Sequence, residues 1–261
     1  MKKTVIENYR NALAILSKKP IKLWGLTLLT QLLAMLAGIF GILPIVYLPV
    51  SFALGVGLCG LYLKGYRGEE VETNDIFVGF KKFLHVVGGV GWMALWILIW
   101  GLIPVVGFVF AIIKAYEYRF TPYILLRMPE ISATDALKKS QEMTKGLKAK
   151  MFWSEVFVIL GFYVVCLVLM LFARIPYIGV LFGIILFLFY IVFIALAPIF
   201  LGLIGAGFYD GAEKALAPAE AEPVAAPAEP VAAPVEPVAA PAEPVAAPAE
   251  PEVAPAEEAA E

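Results

Sequence analysis

Histidine and cysteine are nearly missing from this sequence. His85 stands alone, and the two cysteines, Cys59 and Cys166, both lie inside apolar runs. A disulfide framework or a zinc site needs more sulfur, or several His and Cys at fixed aqueous spacings. Neither is expected, and the cysteines read as small apolar packing residues. His85 sits close to Lys81 and Lys82 at the edge of an apolar stretch and reads as an interfacial anchor. The clustered His, Asp and Ser that membrane-embedded hydrolytic sites use are also wanting. Gly88-Gly89-Val90-Gly91 could be forced into a nucleotide-loop pattern, but no Lys-Ser/Thr follows it. Like Gly55-Val56-Gly57 and Gly202-Leu203-Ile204-Gly205, it reads as a small-residue face for close helix packing. No catalytic, cofactor-binding or metal-ligating residue is expected, and the chain reads as non-enzymatic.

What the chain has in excess is apolar surface. Hydrophobic residues make up 61% of it and its mean hydropathy is +0.86, where a soluble domain holds ~45–50%. The excess is concentrated in residues 21–209, so lipid is the solvent that fits the folded part. The net charge of −2 hides a division. From Ala217 onward the chain carries ten Glu and no Lys or Arg, which leaves residues 1–216 net positive. Basic residues gathered at the ends of apolar runs point to membrane orientation and anionic headgroups rather than nucleic acid.

A spanning helix needs ~20 mostly apolar residues. Span 1 is predicted over Ile21–Leu43, read as an uncleaved first span because it is too long for a signal h-region of ~7–15 residues. Span 2 runs over about Val46–Leu63, span 5 over Met151–Ala173, and span 6 over Gly179–Phe208. Pro198 interrupts the last, which is long enough to require a tilt, a kink or an end outside the bilayer. Residues 86–126 divide at Pro104 into spans over Val86–Ile103 and Val105–Leu126. That division keeps 17 of the 20 Lys and Arg on one side, as the positive-inside bias demands. The fold class is therefore all-α: a polytopic bundle of about six transmembrane spans over 21–210, in a bacterial inner membrane, with both termini and the loops 64–85 and 127–150 cytoplasmic.

Three short amphipathic helices are predicted on the cytoplasmic face, each leading into a membrane hairpin. In Thr4–Ser17, Thr4 and Glu7 form a capping box. Val5, Ile6, Tyr9, Ala12, Leu13 and Leu16 share one face, with Asn8 mostly opposite. The second runs over Asn74–Leu84. The third runs over Ser132–Gly146, with Ser132 as its cap and Gly146 at its end. Helix plus hairpin thus occurs three times, over 4–63, 74–126 and 132–209. Lys18, Lys19, Lys81, Lys82, Lys138, Lys139, Lys145 and Lys148 are the candidate contacts to anionic lipid headgroups.

Lys114, Glu117 and Arg119 fall within span 4. Each charge near a bilayer centre costs roughly 2.5–3.5 kcal/mol on insertion scales. Either this half of the span is shielded and lines a polar path, or it forms structural ion pairs near the interface. The tail, residues 217–261, repeats Glu-Pro-Val-Ala-Ala-Pro with period seven. Two prolines per repeat forbid helix, so it is expected to be extended and disordered, and an unidentified protein partner could bind there.

Ile103-Pro104-Val105-Val106-Gly107, Ile113-Lys114-Ala115-Tyr116, Pro122-Tyr123-Ile124-Leu125, Pro129 and Asp135-Ala136-Leu137-Lys138-Lys139-Ser140 through Met143-Thr144-Lys145-Gly146 carry a family pattern. They resemble an uncharacterised family of bacterial integral membrane proteins. That family is similar in turn to the membrane domain attached to some glycerophosphoryl diester phosphodiesterases. The resemblance is sharpest over about 100–155. It implies a six-helix membrane bundle and no catalytic residues, since the chemistry of the phosphodiesterase fusions belongs to a separate soluble domain. The function expected from all this is membrane organisation or support through lipid or partner contacts. The alternative is a small transporter or channel using Lys114, Glu117 and Arg119.

Overall fold

In the computed structural model, residues 2–18, 20–40 and 44–221 are described, and every regular element among them is helical. In chain order these are α1 (Lys2–Ser17), α2 (Ile21–Phe40), α3 (Pro44–Arg67), a 3-10 turn (Thr73–Phe77), α4 (Val78–Lys81), α5 (Phe83–Gly101), α6 (Gly107–Glu117), α7 (Thr121–Arg127), α8 (Ala133–Met143), α9 (Lys148–Phe172) and α10 (Gly179–Ala221). Five stretches are long and apolar enough to cross a membrane: Ile21–Ile39, Val46–Arg67, Phe83–Gly101, Lys148–Phe172 and Gly179–Leu216. The tail, expected to be extended from residue 217, instead gives its first residues to α10 as far as Ala221; Lys19 and the rest of the tail, from Glu222, lie outside the described residues.

Span 4, expected over Val105–Leu126, is not one helix. The chain does turn at Pro104 and return along α5, but the returning arm breaks after Glu117 and resumes at Thr121. α6 has 11 residues, about 16 Å at ~1.5 Å per residue, roughly half of a ~30 Å hydrocarbon core. The break falls where Lys114, Glu117 and Arg119 interrupt the apolar run. In contrast, α10 runs unbroken through Pro198 for 43 residues. Its second half leaves the apolar zone, and Asp210, Glu213 and Lys214 are paired there with basic groups or one another.

Among the described residues, two hairpin turns at the far tips share one geometry. Ile103-Pro104-Val105-Val106-Gly107 and Ile175-Pro176-Tyr177-Ile178-Gly179 read alike as Ile-Pro-x-(Val/Ile)-Gly. In each the glycine N–H donates to the isoleucine carbonyl at 2.8 Å, and the residue after proline has a positive φ, 68° at Val105 and 70° at Tyr177. A Cβ on Gly107 would stand 2.6 Å from the Gly101 carbonyl oxygen, and one on Gly179 2.3 Å from that of Ala173. Only glycine lets the chain re-enter so tightly.

The buried core sits at the opposite end, called here the capped side. Leu61, Ile76, Phe120, Ile124, Leu125, Ile199, Leu203 and Ile204 are almost fully enclosed there. Toward the tips, α5, α9 and the first half of α10 turn their Leu, Ile, Val and Phe outward, as helices do whose solvent is lipid.

A short helix precedes each hairpin, as expected, but two of the three differ from expectation. α1 begins at Lys2, so Thr4 lies within the helix and is not its cap. Its buried stripe holds Asn8 and Ala12, while Ile6 and Leu13 face outward, because α1 packs against α10 and α3 rather than lying free at an interface. The second is a 3-10 turn followed by the single turn of α4, held backbone-to-backbone on α3. Here Asp75, paired with Lys64 at 2.7 Å, accepts from the Glu72 N–H at 2.8 Å. α8 matches expectation: the Ser132 hydroxyl accepts from the Asp135 N–H at 3.1 Å, and Gly146 takes a positive φ of 75° beyond its end. The Ser132 hydroxyl and then Lys138 hold the Asp135 carboxyl below its ordinary range.

Candidate functional site

A broken helix surrounded by apolar residues exposes backbone groups that must find partners. At the break between α6 and α7 those partners come from α8. The Ser140 hydroxyl donates to the Glu117 carbonyl at 2.8 Å, and the Thr144 hydroxyl, one turn on, shares its hydrogen between that oxygen at 3.2 Å and the Ser140 carbonyl of its own helix at 2.9 Å. Ser140 Oγ also accepts from the Phe120 N–H at 3.1 Å. Both side chains are fully buried. α8 therefore acts as a plug that completes the backbone of a discontinuous arm, which explains why Ala136, Leu137 and Met143 are buried with them.

The charged cluster gathers around this plug in two groups. The Glu117 carboxylate accepts from Lys114 Nζ of its own helix and from Lys148 Nζ of α9, each at 2.6 Å, and from the Gln141 amide of α8 at 3.4 Å. Lys114 Nζ also lies 5.2 Å from the centroid of the Trp100 ring, a cation–π distance. Arg119 does not join Glu117. Its guanidinium pairs with Glu155 of α9 at 2.6 Å, and Glu155 accepts the Tyr116 hydroxyl at 2.7 Å. The three span-4 charges thus fasten the α6–α7 break to α8 and α9.

A second layer lies closer to the capped end. Arg67 of α3 pairs with Asp210 at 2.7 Å and with Glu213, both on α10. Arg127 of α7 pairs with Glu213 at 3.2 Å, and Lys214 with Asp210 at 2.6 Å. Glu155, Asp210, Glu213, Ser140 and Thr144 escaped the sequence reading. Glu155 was the accessible one: it is an ionisable residue inside an otherwise apolar span, the feature that singled out Lys114.

The candidate headgroup lysines do not form one patch. Lys148 is held by Glu117, Lys82 by Glu130 and Lys138 by Asp135. Lys18, Lys81 and Lys145 are exposed, and Lys139 borders a hollow lined by Arg127, Tyr209 and Glu213. The Lys82 ammonium holds the Glu130 carboxyl below its usual range. His85 has a buried Nε2 with no hydrogen-bond partner, and among the described residues no group of His, Cys, Asp and Glu could hold a metal ion.

Beside Arg119 a cavity of about 530 Å³ opens between helices. Its walls come from α3, α5, α6, α7 and α10, and most of its lining is apolar or aromatic.

The fold and this site define a class: an all-α bundle with helices long and apolar enough to cross a membrane, one arm of which is interrupted and plugged. No family model matches the chain, and no curated protein or solved structure matches it.

Proposed function

We propose that this chain is a non-enzymatic integral protein of a bacterial inner membrane, with both termini cytoplasmic, that supports or organises the bilayer through contacts with anionic lipids. The family resemblance over about 100–155 belongs to the same proposal. One observation carries it. The ionisable groups at membrane depth pair with one another, Glu117 between Lys114 and Lys148 and Arg119 with Glu155, while Lys18, Lys81 and Lys145 face outward on the capped side. Each basic residue near an anionic surface contributes on the order of 1 kcal/mol, so a few exposed lysines suffice for a lipid preference.

Purified protein exchanged into nanodiscs of mixed phosphatidylglycerol and phosphatidylcholine tests this. Enrichment of phosphatidylglycerol among tightly retained lipids is expected, falling when Lys18, Lys81 and Lys145 are changed to Gln. Equal retention of the two lipids would overturn the reading. Cysteines introduced at Lys145 and Arg174 should be labelled from opposite sides of the membrane.

The transport reading, with Lys114, Glu117 and Arg119 along a polar path, has less support, because each of these groups is in an ion pair and the neighbouring cavity has mainly apolar walls. Proteoliposomes should leak small ions no faster than empty vesicles. Leakage abolished by Glu117→Gln would reinstate transport.

A further inference from the structure

The cavity beside Arg119 has a composition that selects its occupant. Phe52 and Gly55 of α3, Met93 and Ile97 of α5 and Leu201 of α10 line its apolar part. Arg119 is the one charged side chain in the lining. No residue of α9 contributes to it, so the α9–α10 hairpin meets it only through α10, and α3 stands between α10 and the α5–α6 hairpin. Its volume of about 530 Å³ lies within the ~300–1,000 Å³ of small-molecule sites.

Arg119 gives one guanidinium nitrogen to Glu155, and its side chain remains 44% exposed. A guanidinium has five N–H donors in a planar fork suited to phosphate. A carboxylate on one edge leaves donors on the other. Tyr62 and Tyr123 add aromatic rings to the lining.

We propose that this cavity is a binding site for a single membrane phospholipid, one acyl chain seated among Phe52, Met93, Ile97 and Leu201 and the anionic phosphate on Arg119. Three arguments select this occupant. The surrounding helix faces are apolar and outward-turned, so the phase next to the cavity is acyl chain. A cavity lined this way would leave its walls short of contacts if empty and gives water few partners. The lining's one charged group is Arg119, and the guanidinium donors that Glu155 does not take suit an anionic oxygen at one end of the ligand. The inference deepens the lipid-contact reading and rests on it, replacing a diffuse surface preference with one site.

Gly55 provides the decisive variant. It lines the cavity, and a Cβ there meets no atom within 4 Å, so Gly55→Phe starts its side chain in open space and directs its bulk into the cavity. Protein in nanodiscs is exposed to phosphatidylglycerol carrying a diazirine in one acyl chain, and the crosslinked residues are mapped by mass spectrometry. Crosslinks are expected on Met93 and Leu201, lost in Gly55→Phe while those on the outward face of α9, such as Leu167, persist. Unlabelled phosphatidylglycerol should compete at least about tenfold better than diacylglycerol, which lacks the phosphate, the scale of one hydrogen bond to a charged group. Arg119→Gln should erase that preference and keep the crosslinks. Where Gly55→Phe fails to fold, Gly205→Leu, whose Cβ would have Tyr123 as nearest neighbour at 3.7 Å, serves instead.

Crosslinks confined to outward faces, or unchanged by cavity filling, would overturn the site while leaving the surface-lysine reading intact. Loss of phosphatidylglycerol enrichment in the wild-type protein would remove both. Equal competition by a free fatty acid would overturn the role of the phosphate.

Discussion

Gly57 of α3 lies against the backbone of the 3-10 turn, and Gly79 of α4 against the backbone of α3. A Cβ on Gly57 would stand 2.1 Å from the carbonyl oxygen of Ile76, and one on Gly79 2.1 Å from that of Ala53. The segment between the second and third spanning stretches is thus clamped to the bundle at two points about one turn apart. Weak Cα–H···O contacts suit such a crossing.

Alanine at either glycine must push a peptide group, not a flexible side chain. Gly57→Ala and Gly79→Ala should each destabilise by about 1–3 kcal/mol, the range for overpacking. Gly161→Ala, where nothing lies within 4 Å, should be neutral or slightly stabilising, because it removes the helix penalty of glycine. Unfolding of the purified protein in detergent, followed by circular dichroism, ranks the three; equal behaviour would show that the clamp does not constrain the fold.

The plug at the broken arm predicts a different pattern. Ser140→Ala leaves the Phe120 N–H without its acceptor, at a cost of about 1–3 kcal/mol. Thr144→Val removes only one of two donors to the Glu117 carbonyl and should cost less. Because both act on that one oxygen, the double variant should lose more than the sum of the singles. A double-mutant cycle of unfolding free energies checks this, and strict additivity would separate the two residues.

Much of this was legible from the chain. The spans over α2, α3, α5 and α9 follow from apolar length, and the turn at Pro104 from where the lysines fall. Ser132 and Gly146 marked the ends of α8 by their capping chemistry. What stayed hidden depends on tertiary partners. Nothing local to Glu117 announces that the helix stops there, since the compensating hydroxyls lie 23 and 27 residues away. The hydrophobic period of α1 suggested a face containing Ile6 and Leu13. Packing chose a neighbouring stripe with Asn8, whose carbonyl oxygen accepts the Tyr66 hydroxyl at 3.3 Å. Proline at 198 argued for an interruption, yet α10 continues through it, the exposed backbone of a membrane-type helix being easier to re-satisfy among neighbouring helices.

Glu117 tests whether the charges at depth act as structure. Its side chain is 13% exposed and answers two ammonium groups. Glu117→Gln strands Lys114 beside the Trp100 ring and should cost about 3–5 kcal/mol, as removing one partner of a buried pair does. Combining Glu117→Leu with Lys114→Met removes both charges and should recover a large part of that loss. Recovery in unfolding experiments together with unchanged lipid retention identifies the cluster as a fastening. A double variant as unstable as Glu117→Gln would show that Lys148 or the Gln141 amide makes the dominant contact.

The hairpin tips carry a backbone cost that substitution can relieve. Val105 and Tyr177 hold φ of 68° and 70° with side chains fully exposed, so nothing packed compensates the clash of Cβ with the neighbouring carbonyl. That clash costs roughly 1–2 kcal/mol for a residue with a side chain, most for a β-branched one. Glycine removes it, at a smaller entropic loss in the unfolded chain. Val105→Gly and Tyr177→Gly should therefore each raise stability, by about 0.5–1 kcal/mol, with Val105 gaining more. Denaturant unfolding of the two variants measures it. A destabilised Val105→Gly would mean that its exposed side chain finds a partner in the membrane surface, which the same measurement in nanodiscs and in detergent would distinguish by its dependence on lipid.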